Sequence, residues 1–406
     1  MRVAVIGGGW AGLAAAVELT AAGVATTLYE AGRVFGGRAR GVEVDGRRLD
    51  NGQHILLGAY CETLALMRRV GADPDLLLAR HPLQVVDNTD FRLALPKLPA
   101  PLNVAWGLFA ARGVGFGEKL KTALWMQGIK ARRFRLAADC SVAEWLDTAG
   151  QTGQLRRHLW EPLCLAALNT PAERASAQLF ANVLRDSLGS SCREDTDLLL
   201  PRCDFGRLLV EPAAAWLTGH GAMLRPGHRV RTLHAGVEAL TIDGQDYDAA
   251  IIATAPQHAG RLWPALAADL DYEPIATVYL QCAATTRLPF PLLSLSGPYG
   301  QWVVDRGNGL LACVLSGHGD WEALDDATLA RQLAKELGVA DELGWHRAIR
   351  EQRATFSCRP NLPRPSATLA PRLFLAGDHS WAEYPATLEG AVRSGQRAAR
   401  LALAAT

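Results

Sequence analysis

The chain is 406 residues long, 49% hydrophobic and 20% charged, with a formal net charge of +1, 39 glycines and 21 prolines. That length supports two or three modules and a core that needs no disulfide support, and the composition excludes collagen-like, coiled-coil and disordered classes. A charge so near zero lacks the basic excess of a nucleic-acid binder, so no nucleic-acid partner is expected.

The eight cysteines (Cys61, Cys140, Cys164, Cys192, Cys203, Cys282, Cys313 and Cys358) are scattered, without a CxxC pair or a His/Cys run at ligand spacing. They read as small apolar residues in a reducing compartment, and no metal site is expected. The N-terminus carries one arginine and then a strand pattern broken by glycines, unlike a signal peptide, so a cytoplasmic location is expected. No apolar stretch reaches the roughly twenty residues of a transmembrane helix. Attachment to the inner face of a membrane stays open.

In chain order, Arg2-Val3-Ala4-Val5-Ile6 is the kind of apolar run a buried parallel strand uses. It leads into Gly7-Gly8-Gly9-Trp10-Ala11-Gly12, a G-x-G-x-x-G loop, then a helix rich in Ala and Leu, a break at Gly23 and a second strand through Tyr29. In this context Gly7 permits the tight turn, Gly9 lets a pyrophosphate approach, and Gly12 lets helix and strand pack closely. The helix start at Trp10 and Ala11 points N–H groups at phosphates. Glu30, followed by Ala31, closes the second strand where an acid accepts hydrogen bonds from an adenosine ribose. The loop alone does not separate FAD from NAD.

Gly36-Gly37-Arg38 follows in an E-x(5)-G-G-R spacing. Here the sequence resembles the flavin amine oxidase and phytoene desaturase superfamily, whose segment is one residue longer and wraps the dinucleotide. The glycine pair lets the backbone pass close to the cofactor, and Arg38 presents a fork of donors to pyrophosphate oxygens. A hairpin-like stretch, Val42 to Arg48, precedes Asp50-Asn51-Gly52-Gln53-His54. The resemblance puts Gln53 and His54 near the isoalloxazine ring, with His54 either catalytic or satisfied within its loop.

Leu98 to Phe116 is apolar and broken by Pro and Gly, and the segment to Arg135 interleaves Lys119, Lys121, Lys130, Arg132, Arg133 and Arg135 with apolar residues. This reads either as a core-packed helix with a solvated basic face or as a helix lying on an anionic membrane. His228 to Leu233 reads as a strand passing the adenine, with Val230 on its adenine side, and Tyr247 to Pro256 as a strand returning to the nucleotide sheet. Thr277–Gln281, Gly300–Val304 and Leu310–Leu315 read as an antiparallel sheet facing a pocket. No acidic cluster there suggests an amine site, which favours an apolar substrate.

At the far end, an apolar strand closes on Gly377-Asp378, and Thr387-Leu388-Glu389-Gly390-Ala391 opens a last helix. The pair resembles the superfamily's C-terminal flavin motif, in which a carboxylate such as Asp378 holds ribityl hydroxyls. The helix N-terminus then faces the flavin N1 and C2 carbonyl. The expected fold is α/β, a Rossmann-like FAD-binding domain of the glutathione-reductase/amine-oxidase type built from residues 1–75, 205–262 and 355–406. Residues 76–204 and 263–354 form an inserted α+β substrate-binding lobe.

A narrower resemblance runs nearly end to end. Asp50 to His54, Ala167-Leu168-Asn169-Thr170-Pro171, Leu199-Leu200-Pro201-Arg202 and Tyr384 to Ala391 look like the hydroxysqualene dehydroxylase family, FAD enzymes of hopanoid synthesis. That resemblance implies a hydrophobic isoprenoid substrate, hydride delivery from reduced flavin as an allylic hydroxyl leaves as water, and an unnamed reductant for the flavin. Candidate proton donors are His54, Glu383 and Tyr384, in that order. The alternatives are a carotenoid-type desaturase or flavin amine oxidase on the same scaffold, and a non-catalytic, prenyl-binding escort-like protein.

Overall fold

The structure, a computed structural model, describes residues 1–86, 90–236, 240–266, 270–295, 297, 299 and 301–405. Gly300, read above as opening a strand, lies outside them.

The strand Arg2–Ile6 sits inside a six-stranded sheet. It pairs in parallel with Ala25–Glu30 on one side and Ala249–Ile252 on the other. Met223–Pro226 and Leu373–Leu375 extend the two flanks in parallel, and Thr368–Ala370 closes one edge antiparallel. Val3, Ala4 and Val5 are fully buried, because both faces of the sheet are covered, which is why the run shows no polar alternation. One face carries the helix Trp10–Ala21 and the terminal helix Leu388–Ala404. These two approach so closely that a Cβ on Gly395 would lie 2.1 Å from the Ala11 carbonyl oxygen. A three-stranded antiparallel sheet, Leu233–Ala235, Leu240–Ile242 and Gln245–Tyr247, covers the other face.

One predicted strand is displaced. His228 to Thr232 is irregular, and regular pairing begins only at Leu233. The carboxylate of Asp243 takes the N–H donors of Arg231 and Thr232 at 3.0 and 2.9 Å, along with the Thr232 hydroxyl and the His228 ring, so no strand partner satisfies them. The parallel edge strand is instead Met223–Pro226, ended by Pro226 and Gly227.

The second sheet is antiparallel, in the order Leu292–Ser294, Trp302–Asp305, Leu310–Ser316, Tyr272–Gln281, His346–Phe356. Its period of two divides the labour. Ala276, Val278 and Leu280 face the helix Asp326–Glu336, while Ile275, Thr277 and Tyr279 turn toward the first sheet and its loops. The hairpin Gly41–Val44/Arg47–Asp50, turned by Asp45 and Gly46 at positive φ, packs on that side through Leu49. Helices between Leu102 and Asp186 surround a third core containing Phe180, Trp160 and Leu146. All eight cysteines are free.

Candidate active site

A cavity of about 820 Å³ lies between the two sheets and the helical core. Gly7, Gly9, Trp10, Ala11, Glu30, Ala31, Gly36, Gly37 and Arg38 form one part of its wall. Gln53, His54, Val230, Gly377, Asp378, Thr387, Leu388 and Ala391 form another. A third part is aliphatic and aromatic, with Leu57, Val85, Leu159, Leu163, Leu292 and Trp302.

The glycine loop is built by close backbone approach. Gly7 has φ +115, and a Cβ there would meet the Ala253 carbonyl oxygen at 2.5 Å. Gly12 sits off the cavity wall, where its Cβ would lie 1.8 Å from the Gly7 carbonyl oxygen. At Gly9 the added atom would meet only Gly37 Cα, at 3.8 Å, so the loop is open on the side that faces the cavity. Glu30 ties the loops together: one carboxylate oxygen accepts Gly8 N–H at 2.8 Å and the other accepts Gly32 N–H at 2.6 Å. Gly36 N–H donates to the Gly8 carbonyl at 2.8 Å, laying the Gly36-Gly37 turn against the first loop. Trp10 donates its indole N–H to the Ala39 carbonyl at 2.9 Å and packs on Phe205.

Arg38 and Asp378 join the two ends of the chain. Arg38 Nη2 donates to both carboxylate oxygens at 2.7 Å, and Nη1 donates to the Ala354 carbonyl at 2.8 Å. Part of the donor fork expected for a pyrophosphate is therefore committed to the carboxylate expected for ribityl hydroxyls. Burial opposes ionisation of Asp378, but the charge of Arg38 and hydrogen bonds from Arg38 and His379 outweigh it and hold the carboxyl well below its usual range. Gly377 N–H donates to Ser394 Oγ at 2.8 Å, and the Thr387 hydroxyl accepts Gly390 N–H at 3.1 Å, capping the terminal helix where it meets the cavity.

Besides Gly12, two predicted residues lie off the cavity wall. Glu389 is fully buried and does not line the cavity; it accepts from Glu62 N–H, Thr63 N–H and the Thr63 hydroxyl at 3.1, 2.9 and 2.7 Å, and pairs with Arg393. A carboxylate at the first turn of the last helix is drawn instead to the N-terminus of the helix Cys61–Arg69, where free N–H groups converge. Glu383 has a side chain 68% exposed, 4.0 Å from Arg185, on the surface side of its loop. It is corrected out of the proton-donor set.

The remaining candidates do line the cavity. The His54 ring Nδ1 bonds the Gly52 carbonyl at 2.7 Å, which assigns the proton to Nδ1 and leaves Nε2 a bare acceptor in the neutral ring. Burial pushes the imidazole pKa down, against the pull of that carbonyl, and keeps the ring neutral. Gln53 donates its backbone N–H to Thr277 Oγ1 at 2.9 Å and its side-chain amide to the His54 carbonyl at 2.9 Å, while its Oε1 is buried with no partner. Tyr384 is 4% exposed and donates its hydroxyl to Asp186, also on the cavity wall. Burial, then that carboxylate, raises the phenol pKa.

Nothing in the sequence singles out Asp186 or Phe205, and Thr277 is legible only as part of a strand facing a pocket. Each acts through a neighbour distant in the chain, and no local motif marks it. Asn169 belongs to one of the stretches that carry the narrower resemblance. It sits in the left-handed region at φ 48, donates to Thr355 Oγ1 at 2.9 Å and accepts Gly317 N–H at 2.9 Å, clasping the helical part to the second sheet.

The wall suits a dinucleotide with a fused aromatic ring. It offers an open glycine cradle at Gly9 and orphaned buried polar atoms at Gln53 Oε1, Thr254 Oγ1 and His258 Nδ1. Such a fold and site define a flavin-dependent oxidoreductase. The family described as flavin containing amine oxidoreductase matches residues 10–403, and the chain belongs to it. Its cofactor is FAD, and it is an enzyme. At finer grain the chain is similar to hydroxysqualene dehydroxylase of Rhodopseudomonas palustris, 32% identical over 99% of this chain and 98% of that protein. A probable zeta-carotene desaturase of Synechococcus elongatus is 27% identical over 100% and 99% of the two chains. Among solved structures, a redesigned putrescine oxidase superposes with TM-score 0.73 at 18% identity, covering 100% of this chain and 99% of the other, a likeness of fold.

Proposed function

We propose that the enzyme reduces hydroxysqualene to squalene with release of water. The observation that carries this reading is the end-to-end similarity to a hydroxysqualene dehydroxylase, taken with a cavity whose far wall is aliphatic. We assign residues 1–75, 205–262 and 355–406 to the cofactor module and the rest to the substrate lobe.

Reduced FAD, when bound, supplies a hydride that replaces the carbon–oxygen bond, and the oxygen departs as water once a proton reaches it. Gly9, Gly36, Gly37, Glu30 and Val230 hold the dinucleotide half, and Gln53, Gly377, Thr387, Leu388 and Ala391 the ring half. Asp378 is the acceptor for ribityl hydroxyls, kept ionised by Arg38. Tyr384 keeps its proton through neutral pH and is the candidate O–H donor to the departing oxygen once its hydroxyl turns from Asp186, which holds it in the cavity wall until then. His54, neutral and protonated on Nδ1, serves as an acceptor and positions the Gln53 loop. Leu159, Leu163 and Trp302 exclude the water that would capture an allylic cation.

Anaerobic incubation of the photoreduced protein with hydroxysqualene tests the reading: squalene should accumulate as the flavin reoxidises, and an unchanged substrate would overturn it. The similarity to a zeta-carotene desaturase favours a second reading, oxidation of a polyene by oxidised flavin. The oxidised protein incubated with zeta-carotene and an electron acceptor decides between them. We further propose a cytoplasmic enzyme that works against the inner face of a membrane, since its substrate is an oil. No helix among the described residues is long and apolar enough to cross one.

A further inference from the structure

Seven of the eleven exposed large hydrophobic side chains among the described residues fall between Leu98 and Leu124. Six of the seven lie on two helices, Leu102–Ala110 and Phe116–Ala131, and Leu98 just precedes the first. Leu102, Trp106 and Phe109 follow the i, i+4, i+7 spacing of one helix face and are 58, 56 and 60% exposed. Phe116, Leu120 and Leu124 repeat every four residues on the second helix at 69, 51 and 65%. The inward faces are apolar as well, through Val104, Leu108, Trp125, Met126 and Ile129, and they also carry two polar residues. Asn103 is fully buried and donates to Thr196, while Thr122 is buried and donates to Gln151 at 2.6 Å. A helix folded only for its own protein's core needs one apolar face, and each of these carries a second, exposed one.

Charge is segregated onto the same stretch. Residues 97–135 hold eight Lys or Arg and one acid, a net of +7 in a chain whose total is +1. Arg112, Lys121, Lys130, Arg132, Arg133 and Arg135 are exposed. The one acid, Glu118, turns inward to accept Leu155 N–H at 2.6 Å. Lys119 bonds the carbonyls of Phe109 and Ala111 at 2.8 and 2.6 Å, fixing the two helices relative to each other.

We propose that these two helices form a docking face for an anionic lipid bilayer, their apolar residues entering the acyl boundary and the basic residues meeting the headgroups. This deepens the membrane association proposed above and rests on it. The pairing of an apolar stripe with concentrated positive charge matches an anionic interface and not a neutral protein groove. The placement also serves the cavity. Val104, Leu108, Trp125 and Met126 on the inner faces pack into the same core as Leu83, Val85 and Leu159, which line the cavity wall. The proposed bilayer face and the apolar wall thus share one core.

The test is sedimentation of the FAD-loaded protein with vesicles of phosphatidylcholine, with or without phosphatidylglycerol, at low salt. The wild type is expected to bind the anionic vesicles at least about tenfold more tightly than neutral ones. A Trp106→Ser/Phe109→Ser/Leu124→Ser variant and an Arg132→Glu/Arg133→Glu variant should each lose about tenfold or more, while keeping the wild-type flavin spectrum and melting profile. Wild-type protein that stays in the supernatant with both vesicles overturns the proposal, as do variants that bind like the wild type. So does a wild-type dimer in sedimentation velocity that the serine variant dissolves while vesicles go unbound, which would make the face an interface between copies. With hydroxysqualene in detergent the variants should match the wild type, and with substrate in vesicles they should be slower. Absence of squalene from the wild type in both settings would overturn the reaction and leave the docking result standing.

Discussion

The cavity is made of two materials, and they carry information differently. Around Gly7, Gly9, Glu30 and Gly36 the wall is backbone, held by hydrogen bonds of 2.6 to 2.8 Å and by approaches that leave no room for a Cβ at Gly7 or Gly12. Around Leu159, Leu163, Leu292 and Trp302 it is side-chain surface with no polar bond to register a ligand. Backbone contacts tolerate almost no substitution, whereas an aliphatic wall tolerates many of similar volume. The first region should therefore break abruptly and the second degrade gently.

The largest effect is expected at Gly12→Val. An added Cβ 1.8 Å from the Gly7 carbonyl oxygen must displace the loop, costing upwards of about 3 kcal/mol and most of the bound flavin, read as A450/A280 of the purified protein. Retention of full flavin would show that the loop yields, and the contrast would fail. Next comes the clasp between the ends. Arg38→Ala strands the buried Asp378 carboxylate and should cost about 3 kcal/mol in urea unfolding, at the low end for a broken buried pair because Arg38 is partly solvated. The sign of the pH dependence follows from the depressed carboxyl: its contribution is complete above about pH 4, where an unfolded aspartate ionises, and is lost as pH falls below that. Asp378→Asn should flatten this acid limb in melting curves recorded from pH 6 to 3.

Between the two materials lies Tyr384. Tyr384→Phe should lower kcat by about 100-fold with little change in KM, the usual scale for removing a proton donor. Glu383→Gln, at an exposed side chain, should stay within about twofold; a larger loss there would restore a residue that the geometry removes. Asp50 gives a smaller signal of opposite sign. Burial, resisted by Arg306, pushes its carboxyl up to about 6, so the folded chain binds the proton more tightly than the unfolded one. Stability should therefore decline as pH rises from about 4 to about 6 and level off above, a limb absent from Asp50→Asn. The smallest effect is expected at Leu163→Ala on the aliphatic wall, where loss of about 1 to 2 kcal/mol of apolar contact should raise KM several-fold and leave flavin content unchanged. A loss of flavin there would erase the distinction between the two regions.

The same division explains what could be read from residues alone. Gly7, Gly36 and Gly377 announce themselves because positive φ favours glycine, and Gly9 because a bare backbone faces the cavity, and all four line it. The edge strand Met223–Pro226 did not, since three of its four residues are exposed and it lacks a buried strand's apolar run. Glu389 looked like a ligand to the cofactor because it opens the last helix, yet the helix Cys61–Arg69 claims it through a contact 326 residues away. Asp186 carries no local signature at all. In the stretch from Leu98 to Arg135 the sequence shows charges among apolar residues, but only the packing of Asn103 and Thr122 reveals which side faces out.

The Arg38–Asp378 pair spans 340 residues, and Asp378 is followed by only one more helix. During synthesis the glycine loop can fold early, but its arginine finds no carboxylate until 340 further residues have been made. Flavin retention then doubles as a check on synthesis past this point: a chain stopped before Gly377 lacks both the carboxylate and the helix Leu388–Ala404, and its nucleotide site is half made.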